Sequence, residues 1–532
     1  MSRKDFQRNT AQALQQRDYR RLVALCRKAR QDDPAFADAW FLESVAAEAG
    51  RDLAAAIELV DKALGLSPGN VEYLVQKARY HSQASQDEAA KAAAQAALKA
   101  GASSAQQLDT LGVVLTRLGE YSTAAEALRR AARSAPQQPQ IHFNLAAAEQ
   151  FLGNDAAAEE HYQQVLRLAP GHARSYWALS ELQKNRVDSK HEGAMRRLMA
   201  QPGISDRDGL YLAHALARVE ENRGDYAAAV ELLCAAKARR RASLKYDFAS
   251  DRALFDALRA KFQEPAAAVV PRTDTSKAQR PLFIVGMPRT GTTLVERILT
   301  AHTQVQTLGE QQALPQAVKH LSGAAGASVL SEEVVVRSEF SDTKLADTYA
   351  ALLNTRLRAL GEPSTYVIDK MPLNFLYVGF ILAHIPDAKI VVLRRHPMDA
   401  GLSNFRQLFA LDYSYYNYSY DLRDTGRYVA AFESLMAHWE SLYPGKFFSL
   451  QYETLVADAE PQVRGLLQYL ELPWEAACLE FHKQGGAIAT PSGAQVREPL
   501  YSSAIGRWRR YGEALSPLRE VLLAEDVALV ER

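Results

Sequence analysis

At 532 residues the chain exceeds one ordinary domain, and two or three are expected. Apolar residues make up 48% and charged residues 23%, so a large core can be buried, while a net charge of +1 gives no bulk attraction to nucleic acid or an anionic membrane. Any anion site must therefore be local. The three cysteines, Cys26, Cys234 and Cys478, have neither metal-type spacing nor the density of a disulfide framework. No metal is expected, and a cytoplasmic setting fits. Residues 1–10 are polar and lack the apolar core of a signal peptide. No run approaches the roughly 18 apolar residues of a membrane span. The apolar stretch 375–385 is too short to cross and reads as a buried helix.

The first half carries an internal period. Prolines stand at Pro34, Pro68, Pro136 and Pro170, with Ala102 in the missing place. Ala56, Ala90, Ala124 and Ala158 lie twelve residues before the later marks. Ala29, Ala63, Ala97, Ala131 and Val165 lie five before. Small residues allow two antiparallel helices to approach closely, and proline closes the second helix by removing an N–H donor. Stacked pairs then bury a seam that one pair could not bury alone. The pattern resembles the tetratricopeptide repeat through Trp40, Leu111-Gly112, Ala124, Leu128, Ala131 and Pro136. Register is good over about residues 3–190. A further unit fits 210–243 through Leu216, Ala217, Tyr226, Ala229, Leu233 and Ala236, with a slip near Pro202-Gly203. A helical solenoid over 1–263 is expected. Such arrays hold peptides, act as spacers or dimerise.

Residues 264–281 read as a linker, with Pro265, Pro271 and a polar run that has no helical period. Beyond it, β-rich runs at 282–285, 305–308, 366–368, 390–393 and 447–450 alternate with helical stretches. Alternation predicts a parallel sheet covered by helices, a domain over 282–532. In such sheets ligands bind beyond the carboxyl ends of the strands.

The first strand runs into Gly286-Met287-Pro288-Arg289-Thr290-Gly291-Thr292-Thr293 and then a helix. Strand, glycine loop and helix make an anion cradle of inward N–H groups and a positive helix end. The glycine spacing is that of the nucleotide P-loop, but Thr292 takes the place of its lysine. Arg289 can supply the charge, and the threonine hydroxyls can donate. No partner acid for magnesium is evident. The second strand ends in Gly309-Glu310, where a carboxylate can accept an acceptor's proton. The third ends in Asp369-Lys370, where an ammonium can neutralise a leaving group. The fourth ends in Arg394-Arg395 with Ser403 eight residues on, a pair suited to a phosphate monoester. Tyr452 follows the fifth and fits a purine or the core. Each of these also fits an ordinary surface or core residue. The five tyrosines in 413–420 read as aromatic packing at a helix start rather than as a lid or modification target.

Here the chain resembles a known family. Pro288, Arg289, Thr290, Gly291, Thr292 and Thr293 look like the 5′-phosphosulfate loop of sulfotransferases that use 3′-phosphoadenosine 5′-phosphosulfate (PAPS). Arg395 to Ser403 looks like their 3′-phosphate site. Gly309-Glu310 and Asp369-Lys370-Met371-Pro372 resemble segments of the tyrosylprotein sulfotransferases, which implies Glu310 as base and Lys370 as the residue that assists the leaving group. Tyr452 matches a tyrosine near the nucleotide. Gln495-Val496 and Gly506-Arg507-Trp508 resemble a segment that covers the donor, with Arg507 where the family usually has lysine. Gln407 replaces a second phosphate-binding arginine, with Arg406 adjacent, and the membrane anchor of the Golgi enzymes is missing.

The resemblance spans about 281–510, and with the repeats it looks like the bacterial tetratricopeptide-repeat sulfotransferases. The expected architecture is an α plus α/β multidomain chain: a tetratricopeptide-repeat solenoid, then a P-loop-like α/β sulfotransferase domain with a central parallel sheet. The implied co-substrate is PAPS, without metal. The acceptor carries a hydroxyl, with protein tyrosine, glycan, lipid and metabolite all open. The repeats lean toward recruiting a peptide or protein, and a homodimer is compatible. Two rival readings are a catalytically silent scaffold, opposed by Glu310 and Lys370, and a nucleotide kinase, opposed by the missing P-loop lysine.

Overall fold

The helical period of the first half is realised as paired antiparallel helices. In the computed structural model, which describes residues 2–183, 189–265, 279–326, 328–340, 343–483 and 502–529, eleven helices run from Arg3–Gln15 to Ala173–Gln183. The marks of the period are the contacts of the array. Ala56, Ala90, Ala124, Ala158, Ala63, Ala97, Ala131 and Val165 are all fully buried. Side chains of this size let the helices of each pair close on one another. Pro68, Pro136 and Pro170 fall between helices, where the ring costs no intrahelical bond. The second helix of a pair starts at a recurrent cap: Asp18 accepts from the Arg21 N–H and Asp52 from the Ala55 N–H. Each such cap contributes about 1 kcal/mol.

The chain divides into two compact units, 1–183 and 184–532. The boundary thus lies upstream of the one expected after residue 263. Helices Asp206–Arg223, Tyr226–Leu244 and Ala249–Lys261 belong to the second unit. Their apolar faces explain why: Leu233, Phe248, Phe255 and Leu258 share one core with Phe283, Phe375, Phe380 and Trp439. Of the expected linker, 266–278 lies outside the described residues.

The second unit is built on five parallel strands: β1 (Arg280–Gly286), β2 (Val305–Thr307), β3 (Tyr366–Asp369), β4 (Lys389–Arg394) and β5 (Phe447–Gln451). Their order is β2-β3-β1-β4-β5. Alternate side chains feed opposite faces. Phe283, Val285, Ile390 and Val392 enter the core shared with the repeat-like helices. Leu282, Ile284, Val391 and Leu393 pack on the other face with Val295, Ile298 and Leu466. The stretch 375–385 forms a short 3-10 turn and helix, Pro372–Tyr377 and Val378–His384, largely buried. Register aligns Gly286 with Leu393 and Arg394 with Gln451, so the carboxyl ends of the strands share one edge. Among the described residues, no helix is long and apolar enough to cross a membrane.

Candidate active site

The glycine loop follows β1 directly. Gly286 and Gly291 have φ of +153° and +107°, and a Cβ at Gly291 would stand 2.8 Å from Tyr452 Cδ2. At Gly286 a Cβ would stand 2.5 Å from the Leu393 carbonyl oxygen. Only glycine fits either place. Arg289 itself sits at φ +68°, a left-handed conformation that costs a non-glycine residue energy and concentrates at functional loops. The loop is tied from within and without. Thr290 Oγ1 donates to the Met287 carbonyl at 2.7 Å, and Asn404 Nδ2 donates to the Pro288 carbonyl at 2.7 Å. Asn404 is oriented in turn by the Tyr418 hydroxyl at 2.7 Å. Thr292 and Thr293 open the helix Thr292–Thr300, whose first N–H groups lack intrahelical partners.

Arg395, at the end of β4, reaches the same loop. Its Nη1 donates to the Arg289 carbonyl at 3.0 Å and its Nη2 to the Ala504 carbonyl at 2.5 Å. Among the described residues its Nε is buried without a partner. Its guanidinium lies 4.8 Å from the centre of the Tyr452 ring. That ring thus covers Gly291 and stacks on Arg395. Ser403 is half-buried on the helix Pro397–Arg406, one turn beyond Asp399 and on the same face. Asp399 accepts from the Gly506 N–H at 2.7 Å and the Trp508 N–H at 3.0 Å, which fixes the late segment against this helix. A cavity of about 390 Å³ opens beside Arg395, lined by His396, Asp399, Trp508 and Arg509 among others.

Glu310 and Lys370 meet on the neighbouring strand ends. Lys370 Nζ donates to Glu310 Oε1 at 2.6 Å. The two loops are stitched by the Lys370 N–H to the Gly309 carbonyl at 3.0 Å. Lys370 is fully buried, whereas the Glu310 side chain is 42% exposed. A half-exposed carboxylate held by a buried ammonium can receive a proton from outside. Asp369 accepts from the Tyr349 hydroxyl at 2.9 Å and from Asn374. Burial pushes its carboxyl up to about 7, opposed by the Tyr349 hydrogen bond and the Lys370 charge. Tyr415 and Tyr416 stand near enough to Glu310 for its charge to act on their hydroxyls, though burial is the main cause that raises both. The aromatic stretch forms the 3-10 turn Ser414–Tyr420. Tyr418 and Tyr420 are buried as packing residues, Tyr418 stacking on Tyr428 at 3.8 Å, and Tyr413 is exposed.

The structure brings together Pro288, Arg289, Thr290, Gly291, Thr292, Thr293, Arg395 and Tyr452, and separately Glu310 with Lys370. Arg507 is turned elsewhere. Its Nη2 donates to Glu221 Oε2 at 3.2 Å, and Glu221 also binds the guanidinium of Arg406 and the Tyr511 hydroxyl. Burial works most strongly to raise the Glu221 carboxyl, but the charge and hydrogen bond of Arg406, the Arg507 charge and the Tyr511 hydroxyl together hold it below its ordinary value. Sequence reading missed Glu221, because it lies in a helix that reads as a repeat. It also missed Glu296, whose carboxylate lies 3.6 Å from Lys370 Nζ. Its one signal was an acid on the helix that follows the phosphate loop. Gln495 and Val496 lie outside the described residues.

A sulfotransferase-family model matches residues 281–476, and a tetratricopeptide-repeat model matches 12–71 and 109–173. An uncharacterised protein of Aquifex aeolicus (strain VF5) is 31% identical over 404 residues, which is 75% of this chain and 52% of that protein. Protein-tyrosine sulfotransferase 1 of Danio rerio is 26% identical over 247 residues, 43% of this chain and 65% of the relative. Among solved structures, YrrB, a tetratricopeptide-repeat protein with an unusual peptide-binding site, aligns at 20% identity over 36% of this chain and 97% of its own, with a TM-score of 0.31. The chain spans 52% and 65% of the lengths of these two curated relatives. It joins tetratricopeptide repeats to a sulfotransferase-family domain.

Proposed function

We propose that the second unit transfers a sulfuryl group from PAPS to an acceptor hydroxyl. The observation that carries this reading is the Glu310–Lys370 pair at 2.6 Å on the strand-end edge that also bears a lysine-free phosphate loop. The loop fits the co-substrate: its two glycines leave space where a Cβ would clash, and its helix end and Arg289 favour a phosphosulfate. Arg395, whose Nε has no partner among the described residues, and Ser403 suit the 3′-phosphate, and Tyr452 suits the nucleotide edge. Arg507 would have to leave Glu221 to add its charge.

PAPS supplies the sulfuryl group on a phosphate anhydride. Glu310 takes the acceptor's proton as the acceptor oxygen bonds to sulfur. Lys370 offsets the negative charge on the phosphate oxygen as its bond to sulfur breaks. No metal enters this scheme. Most of the rate should come from positioning and charge stabilisation. The likeness to protein-tyrosine sulfotransferases favours a peptide tyrosine as acceptor. The repeats would recruit that acceptor or a partner.

Glu310→Gln keeps the shape and removes the base. It should bind adenosine 3′,5′-bisphosphate as the parent does and release it from PAPS about 10²–10⁴-fold more slowly. Full turnover in this variant would remove Glu310 as the base.

A further inference from the structure

The Glu310–Lys370 pair raises a problem of charge. Lys370 is fully buried, and burying an ammonium is costly unless a counter-charge lies beside it. Once Glu310 has taken a proton it is neutral, and Lys370 loses that counter-charge just as its own charge is needed. A second carboxylate is present. Glu296 Oε2 lies 3.6 Å from Lys370 Nζ, and its side chain is only 9% exposed. We propose that Glu296 is a positioning residue for sulfuryl transfer, holding Lys370 charged and aimed while Glu310 works as the base. This rests on the sulfotransferase reading above.

The surroundings favour Glu296 for this task. Its other oxygen, Oε1, accepts from Thr307 Oγ1 at 2.7 Å. Thr307 Oγ1 in turn accepts from the Gly309 N–H at 2.9 Å, so one hydroxyl fixes both Glu296 and the loop that carries Glu310. Glu296 lies one helical turn after Thr292, on the same face, which ties Lys370 to the phosphate loop. Asp369 accepts from Tyr349 and Asn374, and among the described residues the ion pairs of Lys370 are with Glu310 and Glu296. The exposed member of the pair is Glu310, which meets the acceptor, and the buried member is Glu296, which does not. Proton balance follows: the acceptor O–H proton rests on Glu310, and Glu296 and Lys370 remain an ion pair throughout.

The test needs no acceptor, because transfer to water releases adenosine 3′,5′-bisphosphate from PAPS. Glu296→Gln should slow this release about tenfold, the scale of one close charge-pair interaction. Its affinity for the bisphosphate should stay within about twofold. In a Lys370→Met background the same substitution should add nothing, because Glu296 acts through Lys370. An unchanged rate in Glu296→Gln, or the same loss with and without Lys370, would overturn the proposal. Should Glu296→Gln melt early, Thr307→Val carries the test, with a smaller loss that also vanishes in the Lys370→Met background. Failure of the parent to bind the bisphosphate at all would instead overturn the sulfotransferase reading.

Discussion

Glu310 and Lys370 were legible as residues because a charged side chain at the end of a parallel strand has few places to go. Glu296 and Glu221 were not, since an acid inside a helix is ordinary until its partners are seen. The partner of Arg507 lies 286 residues away in sequence, and no local pattern carries that information. Asp369 shows how burial alters chemistry at this scale. Its folded-state carboxyl is raised to about 7 from the ordinary 3.8, chiefly by burial. The folded protein therefore binds this proton more tightly than the unfolded chain. The stability this contributes is full below 3.8 and lost as the pH rises through about 7. Asp369→Asn cannot ionise, so in denaturant titrations its stability relative to the parent should improve from about pH 4 to about pH 8. Identical pH slopes would contradict the assignment.

Elements were the most readable level. Five β-rich runs of the sequence became the five strands, shifted by no more than two residues at an end, and the central β1, β3 and β4 are nearly continuous in apolar residues because both their faces are buried. The proline and alanine marks became helix ends and close contacts, since backbone chemistry and side-chain size act locally. The loop after β1 was read from its glycines, and its conformation explains them. Gly291→Ala would force a side chain into a left-handed φ of +107° with its Cβ 2.8 Å from the Tyr452 ring. The conformation alone costs about 1–2 kcal/mol. Denaturant unfolding should register at least that loss, and bisphosphate affinity should fall about tenfold or more as the cradle deforms. An alanine variant of unchanged stability and affinity would show that the loop does not need this shape.

At the scale of the molecule, the pattern reveals that a helix has an apolar face but not what covers it. Leu216, Ala217, Tyr226, Ala229, Leu233 and Ala236 were legible as a repeat-like pair. Yet Ala217, Ala229 and Leu233 share a core with the sheet. Lys237, fully buried on the same helix, donates to the Ser419 carbonyl at 2.9 Å, and burial pulls its ammonium down to about 7. These helices are part of the second compact unit, and Glu221 brings one of them to Arg507. The most direct measurement for the whole account is calorimetric titration of the full chain with adenosine 3′,5′-bisphosphate, 5′-AMP and ATP, with a chelator present. The account predicts selective binding of the bisphosphate, with the preference over 5′-AMP lost in Arg395→Ala. Preference for ATP that depends on magnesium, or no binding of the bisphosphate, would contradict it.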